Sequence, residues 1–330
     1  MKKQKLNVHF SANLIDTDIV RFLNQEFDIE IIKISQNEPN SPKNKLLETI
    51  NTIDLIIFTG GEDVSPCYYD EEIGKFTHTN IKRDESEFSL LHNIGILSSI
   101  IRNIPKLGIC RGAQLLTVYN GGKLIQHVEG HKNNNQVIEY VVNQSITKKM
   151  EVSSDHHQMM FPYNLPEKKY ELIGWSKNFQ SNTYLNGKNE EIKLPKSFLE
   201  PEIIYYDYTK SLCIQSHPEW CIGSTGSNIC LNLIKKYLLD KKNVEKKVLP
   251  EGLPEGYFPL GWISTANDGT PYKFDGASFI TFSEYNIKFN NSLGIATIED
   301  TIKHVPSYYN ISKPLIYDDQ QLGNIDKNEF

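Results

Sequence analysis

The segment Lys106–Gly122, KLGICRGAQLLTVYNGG, constrains the fold more than any other stretch of the chain. It opens as a short buried strand and continues as a helix closed by Gly121 and Gly122. No loop separates the two, and Cys110 is the joint, flanked by Gly108 and Gly112. A strand that turns this sharply into a helix lifts the joint side chain above the edge of a sheet. Small neighbours let the backbone make the turn without steric conflict. The free N–H groups of the helix starting at Arg111 would then face the sulfur, favour its thiolate form and stabilise an oxyanion beside it. The plain alternative is a buried cysteine before an ordinary glycine-rich turn.

The first half of the chain repeats this alternation. Leu6–Phe10 reads as a strand, and Leu14–Phe27 as a helix with Ile15, Ile19, Phe22 and Leu23 on one face. Ile29–Ile34 is strand-like, Lys45–Ile53 helical, and Asp54–Thr59 an apolar strand ending at Gly60-Gly61. A longer helix is expected from about Asp84, with Phe88, Leu91, Ile94, Leu97 and Ile101 at helical spacing. Near-continuous apolar strands between helices indicate an α/β fold, a mostly parallel sheet covered on both faces in three layers. Ligands in such folds bind at the carboxyl ends of the strands. Gly60-Gly61 and Cys110 both fall there, and the glycine pair allows a substrate oxygen to approach a backbone N–H.

The second half is richer in strands, with candidates at Gln136–Val142, Tyr170–Trp175, Ile203–Tyr208 and Ser211–Gln215, and a helix over Ile222–Leu239. The strand before that helix ends LCIQSHPEWC, which places His217 and Glu219 just beyond it. A cysteine nucleophile needs a base within hydrogen-bond reach, and the base needs an acidic group to fix its tautomer. His217-Pro218-Glu219 can supply both, with the proline expected to hold the backbone extended. Gln114, four residues past Cys110, shares its side of the helix and either touches a ligand or packs. The run DKKNVEKK and the Pro/Gly segment from Pro250 to Gly256 suggest a boundary, giving units of 1–245 and 246–330. Asp268-Gly269 and Asp275-Gly276 among aromatic stretches suggest a small β-rich C-terminal appendage.

Composition narrows the function classes. A net charge of −6 with no basic stripe argues against a nucleic-acid partner. No apolar run approaches the ~20 residues of a membrane span, and the N-terminus lacks the apolar core of a secretory signal. Five cysteines without a Cys-x-x-Cys pair suggest reduced thiols and a cytoplasmic setting. Cys221 lies four residues from His217 but has no further ligands at suitable spacing, so neither a metal nor a cofactor is expected.

Four motifs taken together, G-I-C-R-G-A-Q, F-T-G-G-E-D-V-S-P-x-x-Y, V-S-S-D-H-H-Q and S-H-P-E-W, resemble the class I glutamine amidotransferase-like hydrolases. The likeness is greatest to their gamma-glutamyl hydrolase branch, which includes gamma-glutamyl-gamma-aminobutyrate hydrolases, and it covers residues 6–240; the stretch from Arg83 to Glu87 is similar to that branch too. The resemblance implies a flavodoxin-like fold and a catalytic triad of Cys110, His217 and Glu219. It implies an oxyanion hole from the N–H groups of Gly61 and Arg111, and hydrolysis of a γ-glutamyl amide through a thioester. It also implies that Gly60, Gln114, His156, His157 and Gln158 meet the substrate, although without the resemblance the His-His-Gln segment reads better as a polar loop. A small γ-glutamyl compound or glutamine is the implied substrate, and a ligase or synthetase, or a second copy of the chain, the implied partner. Asp155 stands where the resemblance leads one to expect a bulkier apolar residue, and the tail beyond ~245 has no counterpart in it.

Overall fold

A computed structural model describes residues 3–34, 51–98, 103–132, 134–143 and 146–240, together with three short strands farther on. Strands β1 (Gln4–Phe10), β2 (Phe27–Ile31), β3 (Leu55–Phe58), β4 (Lys106–Ile109), β5 (Lys123–Ile125), β6 (His127–Val128) and β7 (Asn134–Asn143) come first. They are followed by β8 (Ile146–Ser154), β9 (Met159–Phe161), β10 (Glu171–Ser176), β11 (Tyr184–Leu185), β12 (Pro201–Tyr206) and β13 (Ser211–Ile214). The helices are α1 (Thr17–Leu23), α2 (Ile81–Ser98), α3 (Arg111–Tyr119) and α4 (Thr225–Ile234).

Nine strands form one sheet in the order β2-β1-β3-β4-β13-β12-β10-β7-β8. The pairings from β2 through β13 are parallel, and those from β13 through β8 antiparallel. β3 shows how the layers form. Ile56 and Phe58 pack on one face with Leu91 of α2 and Leu116 of α3, while Leu55 and Ile57 pack on the other with Phe22 of α1 and Ile234 of α4. A strand buried on both faces needs apolar residues at every position, which is why DLIIFT does not alternate with polar ones. This is the expected three-layer α/β, flavodoxin-like architecture, with an antiparallel extension on one edge.

One expectation needs correction here, and one strand was not foreseen. The first helix is shorter than Leu14–Phe27: Asp16 caps it, accepting from the Asp18 and Ile19 N–H groups, and it ends at Leu23. Leu14 and Ile15 stay exposed outside it, and Phe27 already pairs with β1. β8 was not anticipated, because only Met150 and Val152 of ITKKMEVSS mark a buried face among lysines. Residues 45–50 of the helix expected over 45–53, and most of the tail, lie outside the described residues. Within the tail, Tyr257–Pro259, Phe289–Asn290 and Ile295–Thr297 pair with one another as an antiparallel three-stranded sheet.

Glycine packing fixes the elbow. A Cβ on Gly112 would lie 2.0 Å from the Phe58 carbonyl oxygen, and one on Gly108 would lie 2.4 Å from that of Gly112. Both glycines are needed for close approach of α3 to β3 and β4 rather than for their backbone angles. Gly112→Ala is therefore expected to cost about 1–3 kcal/mol by forcing these elements apart. An unchanged urea midpoint would contradict this packing.

Candidate active site

β3, β4 and β13 are neighbours in the parallel half of the sheet, and each delivers one part of the site from its carboxyl end. Thr59, Gly60 and Gly61 follow β3, Cys110 follows β4, and His217 follows β13. This is where the crevice of an open α/β sheet lies.

Cys110 occupies the elbow with φ 52° and ψ −111°, a conformation that costs a residue with a Cβ on the order of 1–3 kcal/mol. The surroundings hold it there. Its N–H donates to Ile214 O of β13 at 2.8 Å, and its own carbonyl accepts from Ala113 and Gln114 of α3. The first N–H groups of α3, those of Arg111 and Gly112, have no acceptor within the helix. Cys110 is buried at the floor of a cavity of about 130 Å3, whose lining includes Gly61, Arg111, Gln114 and Asp155. That volume is well below the ~300–1,000 Å3 of a typical small-molecule cleft, so it admits a small head group.

His217 is bonded to Glu219, with Nδ1 and Oε1 2.6 Å apart, and its ring lies close to Cys110. Pro218 does not hold the chain extended as expected. It opens a single 3-10 turn, Pro218–Cys221, and that turn carries Glu219 back onto the imidazole. The same turn lays Trp220 flat on the His217 ring, with centroids 3.8 Å apart and planes 3° apart. Burial disfavours the imidazolium, but the hydrogen bonds and negative charge of Cys110 and Glu219 outweigh it and raise the His217 pKa to about 10.

A group whose pKa rises on folding stabilises the fold fully below its unfolded value, near 6.5, and loses that contribution as pH rises through the folded value. The thermal midpoint of the protein should therefore exceed that of His217→Gln most at pH 6. The gap should shrink progressively toward pH 10.5, and one that widened instead would exclude an imidazolium at this position.

Gly60 lies against both partners: a Cβ there would be 3.4 Å from His217 Cε1 and 3.8 Å from Cys110 Cβ. Arg83 fixes the glycine loop from behind. Its Nη1 donates to Gly60 O at 3.0 Å and its Nη2 to Thr59 O at 3.1 Å. A trans peptide carries its N–H antiparallel to its C=O, so this turns the Gly61 N–H to the side away from Arg83. Gly61 has φ 140°, and a Cβ there would sit 2.2 Å from Arg83 Nη1. Beneath the loop, Arg111 is ion-paired with Asp84 and Glu87, both fully buried. Asp84 also accepts from the Ser65 N–H and hydroxyl, and Glu87 from the Ser11 hydroxyl at 2.6 Å. The roles of Arg83, Asp84 and Glu87 were not legible, because their partners outside α2 are 19 to 76 residues away along the chain. Trp220 was missed too, although its place three residues after His217 allows the stack.

The His-His-Gln segment joins β8 to β9, and its members differ in setting. His157 is at the rim, with Nε2 3.1 Å from Asp63 Oδ1. His156 is buried, bonded through Nδ1 to Gln158 O at 2.8 Å, and burial lowers its pKa to about 4. Gln158 is fully buried and donates to Thr77 Oγ1 at 3.3 Å, while Gln114 donates to Gln158 O at 3.0 Å. His156, His157, Gln158 and Gln114 all line the cavity. Asp155 reaches it as well, and its carbonyl lies 3.9 Å from Cys110 Sγ. All five cysteines are free, and among the described residues no helix is long and apolar enough to cross a membrane.

Residues 12–169 match the Peptidase C26 family model, a stretch that contains Gly60, Gly61, Cys110 and His156 and ends before His217. A Lactococcus lactis protein described as glutamine amidotransferase-like is 38% identical over 103 residues, covering 31% of this chain and 40% of the relative. Protein NtpR of Enterococcus hirae is 40% identical over 78 residues, covering 23% of this chain and 30% of that protein. The matched stretches thus span well under half the length of these relatives. The crystal structure of a glutamine amidotransferase from Thermotoga maritima is 17% identical, with a TM-score of 0.39, over 74% of this chain and 87% of that one. The family match and the sequence relatives support a class I glutamine amidotransferase-like fold.

Proposed function

We propose that this chain, with its class I glutamine amidotransferase-like fold, is a cysteine hydrolase that cleaves the γ-glutamyl amide bond of a small compound. The observation that carries the reading is the linked arrangement of Cys110, His217 and Glu219 at a cavity sized for a small head group. Cys110 attacks the amide carbonyl, and the oxyanion is taken up by the backbone N–H groups of Gly61 and Arg111. The C–N bond breaks as His217 gives its proton to the leaving amine. A water then loses a proton to His217 and attacks the thioester, releasing glutamate and restoring the thiolate–imidazolium pair. Glu219 holds the ring in the tautomer this requires. Gln114, His157 and Gln158 line the cavity and are assigned to the glutamyl head, and Asp155 and Asp63, which also line it, to the amine attached to it.

A second reading is a glutaminase that passes ammonia to a separate ligase or synthetase, and the description of the Lactococcus relative favours it. The chemistry at Cys110 is the same. A screen of purified protein against glutamine and a panel of γ-glutamyl amides, following glutamate release with and without a partner-containing extract, separates the two. Turnover of one amide by the protein alone supports the hydrolase. Glutamine turnover that appears only with extract supports the glutaminase, and no release from any amide in either condition rejects both.

A further inference from the structure

Behind the cavity wall, His131, His156 and Glu202 are all buried, and each offers a ligand atom within 4.8 Å of the others. They come from three separate segments: the loop after β6, the link between β8 and β9, and β12. Glu202 Oε1 lies 3.5 Å from His131 Nδ1 and 3.8 Å from His156 Nε2. Neither contact is a hydrogen bond, since both of these nitrogens, and Glu202 Oε2, are buried without a hydrogen-bond partner.

The far side of the His156 ring determines where its proton sits. His156 Nδ1 is 2.8 Å from the carbonyl oxygen of Gln158, which can only accept, so Nε2 presents its lone pair. His131 Nε2 faces Glu200 Oε2 at 3.4 Å. Glu200 accepts from the N–H groups of Gln180 and Ser181. Neither His131 nitrogen has a hydrogen-bond partner, and Nδ1 faces Glu202. Gln136 donates to Glu202 Oε1 at 2.6 Å and orients that carboxylate.

Two imidazoles with unpartnered nitrogens and a carboxylate therefore meet in one buried spot, which suits a positive centre. A shared proton would draw nitrogen and oxygen to about 2.7–2.9 Å. A tetrahedral ion with bonds of about 2.0–2.1 Å holds its ligands about 3.3–3.5 Å apart, and the 3.5 and 3.8 Å separations are closer to that spacing. We propose that His131, His156 and Glu202 form a buried site for a divalent transition ion of the zinc type. Two imidazoles and one carboxylate suit such an ion, and Glu200 behind His131 is the outer carboxylate that commonly orients a ligating histidine. The ion's charge compensates the buried Glu202 carboxylate. It would tie together three segments and, through His156, fix the wall that carries Gln158.

The test uses the full chain carrying Cys110→Ser, so that the Cys110–His217 pair cannot capture the metal. The protein is stripped with chelator and titrated with Co2+ and Zn2+. One equivalent should bind with a sub-micromolar dissociation constant, with cobalt d–d absorption free of thiolate charge transfer. Glu202→Gln and His131→Ala should each weaken binding about 100-fold or more, and Zn2+ should raise the thermal midpoint only where the cluster is intact. Millimolar binding, or tight binding that survives both substitutions, overturns the site. So does an NMR spectrum with His131 doubly protonated at neutral pH and unmoved by Zn2+, which would make it an imidazolium bridging Glu200 and Glu202. If the variants do not fold, the titration and NMR spectrum of the intact cluster decide the matter.

Discussion

Cys110→Ala is expected to lower turnover by a factor on the order of 10^5, because removing a nucleophile leaves only binding and oxyanion stabilisation. Its effect on the fold should be confined to the lost sulfur packing and the lost partner of the His217 imidazolium. Alanine retains the Cβ and hence the unfavourable φ of 52°. Cys110→Gly makes the complementary case. It should be equally inactive yet more stable than the alanine variant by about 1 kcal/mol, since glycine adopts positive φ without the steric penalty. Activity from paired assays and urea midpoints from both variants check this. Substantial residual turnover in either would remove Cys110 from the chemistry, and equal midpoints would mean that the elbow is not strained.

The second large effect lies below the site. Glu87→Gln is nearly isosteric but removes the charge that lies between Arg111 and Arg83. Breaking one partner out of a buried ionic cluster costs about 3–5 kcal/mol, because it leaves buried charge uncompensated. With Glu87 neutral, two guanidinium groups face each other, and Arg83 loses the anchor that holds it on Thr59 O and Gly60 O. The loop carrying the Gly61 N–H should loosen, so kcat should fall by about tenfold or more with KM little changed. Ser11→Ala is the control. It deletes only the hydroxyl bonded to Glu87 and should cost about 1–2 kcal/mol with kcat intact. Equal stability of Glu87→Gln and the unsubstituted protein would show that Glu87 contributes no net charge stabilisation.

The parts of the site that were legible share a property. Cys110, Gly60-Gly61 and His217 each sit at the carboxyl end of an apolar run, and in a parallel sheet all such ends face one side. Local sequence therefore located them without any knowledge of which strands are neighbours. Glu219 was legible because it lies two residues from His217, although the turn that joins them was misread: Pro218 starts a 3-10 turn instead of prolonging the strand. β8 was missed because its alternation rests on two residues, and the first helix was overextended because exposed Leu14 and Ile15 imitate its buried face.

The three-layer α/β architecture and the identity of the elbow residue are written in the chain itself. Both follow from short-range rules: apolar runs of strand length, helical spacing, and two glycines beside a cysteine. The adjacency of β3, β4 and β13, which brings His217 to Cys110 across 107 residues of chain, emerges only on packing. Packing alone assembled Arg83, Asp84, Glu87 and Arg111 under the oxyanion loop, and His131, His156 and Glu202 behind the cavity. Buried charges and unpaired nitrogens have no sequence period, because their energies depend on partners and desolvation that exist only once the chain has packed.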